Sequence, residues 1–169
     1  LAAVVLSVAA CATRPTAPEP PISTPVPAGD ADLGHTPATA SGGDRLAQNA
    51  LAMLGQPYRW GGASPTGFDC SGLVFYAAER AGTSVPRTAA EQQRVGIAVE
   101  REDLEPGDLV FLHLAAKELH VGIALDRTRF IHAPSSGGRV RIDSLEAMPY
   151  SRAFLNARRL QFTPPAAAR

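Results

Sequence analysis

The sequence predicts an α+β domain in which N-terminal helices pack on an antiparallel sheet of about five strands. Three observations carry that expectation. Apolar residues recur at helical spacing from about residue 44 to residue 95. After the turn signal Glu105-Pro106-Gly107-Asp108 the period shortens to that of strands, and the links between those strands are too short to hold crossover helices. At 169 residues the chain accommodates one such domain with appendages.

The first appendage is residues 1–11, a short apolar run ending Val8-Ala9-Ala10-Cys11. It is too short to span a bilayer core of roughly 30 Å and reads as the apolar region of a secretory signal. With no Met or basic stretch ahead of it, the run starts part-way through such a signal. Its last four residues resemble the lipobox of bacterial lipoproteins, which implies lipidation of Cys11 and a membrane anchor through one lipidated end. In such lipoproteins Ala12, rather than Asp, after the cysteine implies the periplasmic side of the outer membrane. A non-lipidated signal with an incidental cysteine is the alternative. Residues 12–43 are rich in Pro, Ala, Thr and Gly and offer no apolar face, so they read as a disordered tether with polyproline-II character, in which His35 is a solvated bystander. Cys11 and Cys70 are the two cysteines, and they lie in regions too different in composition to be paired.

The domain itself is expected over residues 44–162. Leu46, Ala47, Ala50, Leu51 and Leu54 mark an amphipathic helix from Asp44 to Leu54, ended by Gly55 and Pro57. A second helix runs from about Ser71 to Ala81, with small residues on its packing face and Gly82 as its stop. Thr88 to Val95 follows as a short helix, Thr88 and Glu91 standing in capping-box positions. The strands are Leu109 to Leu114, His120 to Leu125, Phe130 to Ala133, Val140 to Ile142 and Ala153 to Leu160, and residues 163–169 read as a frayed tail.

Composition narrows the partners. Sixteen Lys and Arg balance sixteen Asp and Glu, and no basic run is present, so nothing draws the domain to nucleic acid. The domain is expected to be a monomer.

Chemistry is expected around Tyr58 to Val74. There a Gly-, Ser- and Pro-rich loop delivers Cys70 to the mouth of a helix, where the positive end of the helix dipole favours thiolate, the nucleophilic form. A thiolate needs a proton acceptor, and that imidazole needs a third group to fix its tautomer. Along the strand from His120, residues 121, 123 and 125 are apolar and face the core, so His120 points away from it. If Asp126-Arg127-Thr128 is a three-residue turn, His132 shares that face as a diagonal neighbour. A buried structural cysteine and structural histidines are the plain alternative. Zinc is another, although no C-x-x-C or H-x-x-x-H pair supports it, and neither metal nor cofactor is expected. His113 lacks a neighbour of matching parity and reads as a surface residue near the groove.

Six segments in order resemble the motifs of the NlpC family of papain-like bacterial cell-wall peptidases. They are Tyr58-Arg59-Trp60-Gly61-Gly62, Phe68-Asp69-Cys70-Ser71-Gly72-Leu73-Val74, Pro86-Arg87-Thr88, Pro106-Gly107-Asp108-Leu109-Val110-Phe111, His120-Val121-Gly122-Ile123 and Phe130-Ile131-His132-Ala133. The likeness covers about Asp44 to Leu160. It implies a papain-like fold, with Cys70 as nucleophile, His120 as general base and acid, and His132 as the orienting residue. Tyr58 matches a tyrosine near the oxyanion, and Asp69 and Ser71 match residues lining the groove. The implied substrate is the stem peptide of peptidoglycan, cut as by the murein endopeptidases of Gram-negative outer membranes. Two bonds fit, D-alanyl to diaminopimelate and γ-D-glutamyl to diaminopimelate. The sequence departs from the family in the approach to His120, where Leu114-Ala115-Ala116-Lys117-Glu118-Leu119 replaces a short polar loop, and this bears on substrate preference. A catalytically silent peptidoglycan-binding lipoprotein would use the same groove, and an acyltransferase or amidase the same Cys–His chemistry.

Overall fold

A computed structural model describes residues 40–114, 119–136 and 138–162. The signal run with Cys11, residues 12–39 of the tether, the tail and residues 115–118 of the divergent loop lie outside them. The first helix, α1 (Gly42–Leu51), ends at Leu51 rather than Leu54 and starts two residues before Asp44, where the sequence places its start. The cause is a capping box: Ser41 Oγ accepts from Asp44 N at 3.0 Å, and Asp44 Oδ2 accepts from Ser41 N at 3.0 Å. Leu46, Ala47 and Ala50 turn inward.

Between α1 and the next helix lies a small hairpin of β1 (Ala63–Ser64) and β2 (Gly67–Phe68). Helix α2 (Cys70–Ala81) is capped by Asp69 and ends, as its sequence predicts, at Gly82 with φ 85°. Seven of its twelve residues are buried, because small side chains let it sit against both α1 and the sheet. Helix α3 (Ala89–Gln92) has the expected Thr88 cap but stops short of Val95.

The main sheet contains β3 (Ile97–Val99), β4 (Leu109–His113), β5 (Leu119–Ala124), β6 (Arg129–His132), β7 (Arg141–Ser144) and β8 (Phe154–Arg159), in the order β3-β8-β4-β5-β6-β7, antiparallel throughout. The fold is therefore the expected α+β class, with one strand more than expected. That strand is β3, whose three residues pair with β8 at the sheet's edge. Tyr150–Ala153, expected in part as strand, forms a one-turn helix, α4, before β8.

Apolar side chains cover both faces of the sheet. Leu109 and Phe111 of β4, Val121 and Ile123 of β5, and Ile131 of β6 join Leu46, Leu73 and Val74 of the helices. On the other face Val110, Leu112, Ala124 and Phe130 meet Leu145 and Tyr150. His120 and His132 have the parity of this second set. They do point away from the helix-packed core, but they are buried nonetheless, at 4% and 0% exposure.

Candidate active site

Asp126, Arg127 and Thr128 do form a three-residue turn. The Asp126 carboxylate closes it by accepting from the Thr128 and Arg129 backbone N–H groups at 2.8 Å each, and Leu125 N donates to Arg129 O. The resulting register sets Ile123 against Ile131 and Ala124 against Phe130. Continued by one residue, it places His132 beside Gly122 and diagonal to His120. A Cβ on Gly122 would lie 3.1 Å from His132 Cβ and 2.9 Å from Ile131 O, so the glycine makes room for the second histidine. The two rings meet edge-to-face, with His120 Nε2 and His132 Nδ1 2.7 Å apart.

The contacts continue to β7. His132 Nε2 donates to Asp143 Oδ2 at 2.9 Å, and the same oxygen accepts from Arg141 Nε at 2.8 Å and Tyr150 Oη at 2.8 Å. Burial pushes His120 down to about 3, helped by the charges of His132 and Arg141. Burial also lowers His132, to about 4, against the opposing pull of Asp143. Asp143 is held below the usual carboxylate range: the hydrogen bonds from Tyr150, His132 and Arg141 outweigh its burial, which acts the other way. Both imidazoles are therefore neutral near pH 7. Since both nitrogens of His132 are engaged in hydrogen bonds, the arrangement does not suit a zinc site built from Cys70, His120 and His132.

The thiol stands on another element. Cys70 is the first residue of α2, partly buried against the helix-packed core, and α2 packs on β5, the strand of His120. It lines a groove of about 460 Å³ together with Tyr58, Trp60, Asp69, Ser71 and Leu119, the residue before His120. Trp60 is 83% exposed at that groove. The loop Tyr58–Gly62 folds directly over the first turn of α2, where Asp69 N donates to Gly62 O at 3.0 Å. A Cβ on Gly72 would fall 1.9 Å from Gly62 O, so this approach requires glycine.

Asp69 is the hub of that contact. Its Oδ1 accepts from Gly72 N at 2.6 Å, Arg87 Nη1 at 2.9 Å and Ser71 Oγ at 3.3 Å, and its Oδ2 from Gly61 N at 2.9 Å and Arg87 Nη2 at 2.6 Å. The Arg87 guanidinium is raised first by its bond to Asp69, against burial, and least by the charge of Cys70. That attraction is mutual, so Arg87 favours thiolate at Cys70. Behind them the buried Gln92 Nε2 donates to Ser71 O at 3.0 Å and Pro86 O at 2.8 Å, pinning the first turn of α2.

The model of the NlpC/P60 family matches residues 55–159, most of the chain. The chain belongs to the NlpC/P60 family. It is 42% identical over 123 residues to murein DD-endopeptidase MepH of Escherichia coli K12, covering 69% of this chain and 45% of that protein. It is 33% identical over 117 residues to a γ-D-glutamyl-L-lysine dipeptidyl-peptidase of Bacillus subtilis, covering 68% and 40%. Among solved structures, an NlpC/P60 family protein of Bacillus cereus superposes with a TM-score of 0.64 at 34% identity, covering 69% and 39%. The chain thus spans less than half the length of these relatives.

Within this NlpC/P60 domain, Tyr58, Asp69, Cys70 and Ser71 gather at one groove, and His120 and His132 form one hydrogen-bonded pair. His113 is exposed at the end of β4 and is not among the groove's lining residues. Sequence reasoning missed Arg87 as the partner of Asp69, and Arg141, Asp143 and Tyr150 beyond His132. A signal for Asp143 exists: Arg141 and Asp143 alternate in a short strand whose register puts them on the histidines' face.

Proposed function

We propose that this domain is a cysteine endopeptidase that hydrolyses peptide bonds in the stems or cross-links of peptidoglycan. The observation that carries it is the buried His120–His132 pair on the strands beside a groove lined by a helix-N-terminal cysteine. The names of the relatives, a murein endopeptidase and a γ-D-glutamyl dipeptidyl-peptidase, point to the same substrate class.

In this reading Cys70 Sγ gives its proton to neutral His120 and attacks the scissile carbonyl carbon. The first-turn N–H of Cys70 and the Tyr58 hydroxyl hold the tetrahedral oxyanion. Protonated His120 then delivers its proton to the leaving amine, and a thioester remains on Cys70. Water, deprotonated by His120, attacks the thioester carbonyl; a carboxylic acid leaves and the thiol is restored. Asp69 and Ser71 shape the groove wall beside the nucleophile. Lipidation at Cys11, the tether and the outer-membrane address complete the proposal: an anchored monomer that acts on the wall from the periplasmic face.

Digestion of purified sacculi tests the activity. Wild type is expected to release soluble muropeptides, and Cys70→Ala to release none while keeping its melting temperature within a few degrees. Mass spectrometry of the new ends then distinguishes D-alanyl–diaminopimelate from γ-D-glutamyl–diaminopimelate cleavage. Stoichiometric binding by wild type without new amine ends, or undiminished release by Cys70→Ala, overturns the peptidase reading.

A further inference from the structure

We propose that Asp143 is a positioning residue that fixes the order of protons along the histidine pair, so that the lone pair not used between the two rings is left at His120 Nδ1. This rests on the peptidase reading for its consequence, but the proton order itself is a property of the folded protein.

The hydrogens can be assigned from the far end inward. Asp143 is an ionised carboxylate and can only accept, so the three atoms that meet its Oδ2 must each bring a hydrogen: Arg141 Nε, Tyr150 Oη and His132 Nε2. Tyr150 is consistent with this, because its oxygen accepts from Arg141 Nη2 at 3.1 Å and so has its own hydrogen for Asp143. His132 therefore carries its proton on Nε2. Being neutral in its buried site, it has a lone pair on Nδ1. That lone pair lies 2.7 Å from His120 Nε2, which must then be the donor. His120, also neutral, is left with its lone pair on Nδ1. No second arrangement of hydrogens satisfies all four contacts with both rings neutral.

The sheet supplies the spacing. His120 stands on β5, His132 on β6 and Asp143 on β7, all on one face. The register opposes His132 to Arg141 and Phe130 to Asp143, so the acid is again a diagonal neighbour of the histidine it holds. Phe130 and Tyr150 close on the His132 ring, with centroids at 4.5 and 5.4 Å, and fix its plane. With the acceptor at Asp143 removed, His132 is free to carry its proton on either nitrogen. Each time it chooses Nδ1, His120 is forced to carry its own on Nδ1 as well, and the base has no lone pair to offer the thiol.

Nitrogen-15 NMR of histidine-labelled protein at pH 7 tests the order directly. Both rings are expected to carry the proton on Nε2. In Asp143→Ala the His132 signals are expected to shift toward a mixture of tautomers. On sacculi or a defined muropeptide, kcat is expected to fall about 100-fold with KM within about threefold. Asp143→Asn keeps an acceptor oxygen in place, so it should restore the wild-type tautomers and bring kcat to within about tenfold of wild type. A proton on His120 Nδ1 in the wild type overturns the proposal, as does Asp143→Ala with wild-type tautomers and kcat. If Asp143→Ala fails to fold, the wild-type spectrum still decides. Expected tautomers in a protein that cuts no sacculi would refute the peptidase reading and leave the proton order standing.

Discussion

Replacing Asp69 by Ala perturbs the one side chain that joins the groove loop, the start of α2 and Arg87. Two costs can be separated. Loss of the helix cap, a 2.6 Å bond to Gly72 N, is worth about 1 kcal/mol in typical helices. Stranding Arg87 costs more, because two of its bonds, at 2.6 and 2.9 Å, end on Asp69. Breaking a fully buried pair costs about 3–5 kcal/mol. Here Arg87 is 35% exposed and Asp69 14%, so water recovers part of that and ~1–2 kcal/mol remains. The sum is ~2–3 kcal/mol, a drop in melting temperature on the order of 10 °C for a domain of this size. Asp69→Asn keeps an oxygen for Gly72 N and loses the charge, so it should fall about half as far. Thermal unfolding of the two variants and of Arg87→Ala measures this. The double variant Asp69→Ala/Arg87→Ala should cost clearly less than the sum of the single ones. Asp69→Ala within ~0.5 kcal/mol of wild type, or strict additivity with Arg87→Ala, would refute the clamp as the element that holds this loop on the helix.

Two further predictions concern the buried face. Gly122→Ala should cost ~1–3 kcal/mol by overpacking, because the new methyl would lie 2.6 Å from Phe130 Cδ2 and 2.9 Å from Ile131 O. Peptidase activity should fall with it as His132 is displaced; wild-type melting and wild-type activity together would sink the idea. Stability should also decline with acidification well above the carboxylate range. Below about pH 6.5 the unfolded chain protonates both imidazoles, whereas in the native protein His132 and His120 resist until about 4 and about 3. The native state therefore binds fewer protons in that window, and stability falls by ~2 kcal/mol per imidazole between pH 6.5 and 5. Urea midpoints at pH 7.5 and 5 measure this, and His132→Asn should remove about half of the difference. Asp143 acts in the same direction only at lower pH, its contribution being present above its unfolded value and lost as pH falls through its depressed native one. A midpoint unchanged between pH 7.5 and 5 would refute the burial of neutral rings.

Much of this was legible in the sequence, and the missed groups of strand β7 beyond His132 share one physical cause. Cys70, Gly82 and the small residues between them announce α2, and the alternation around His120, with a three-residue turn, already puts His132 on its face. The strand β7 shows why the rest was hidden. Its apolar residue, Ile142, is 36% exposed, while Arg141 and Asp143 turn partly inward. Hydrophobic periodicity assumes that the apolar face is the buried one. At this strand the inner face carries the polar groups that hold His132, so the pattern points the wrong way, and the strand expected to end at Ile142 stops one residue before the acid that matters. Edge strand β3 escaped for a simpler reason: three residues with Ile97 exposed give no alternation to read.

The placement of charge along this row of residues follows from what each position can solvate. Two imidazoles lie nearly dry, His132 against Phe130 and Tyr150 and His120 against His132, where a lone ion would be costly. The carboxylate stands on edge strand β7 with its side chain 24% exposed and Arg141 against it, so the charge rests where water and a guanidinium stabilise it. A bond from His132 to the carboxylate and a neutral one between the rings then carry its influence inward. In the proposed mechanism, the positive charge that His120 gains on taking a proton is joined through His132 to that distant anion. A thiol on a partly exposed helix end, a pair of neutral imidazoles held in the sheet and a carboxylate at the sheet's edge thus divide between three sites what no single buried position could hold.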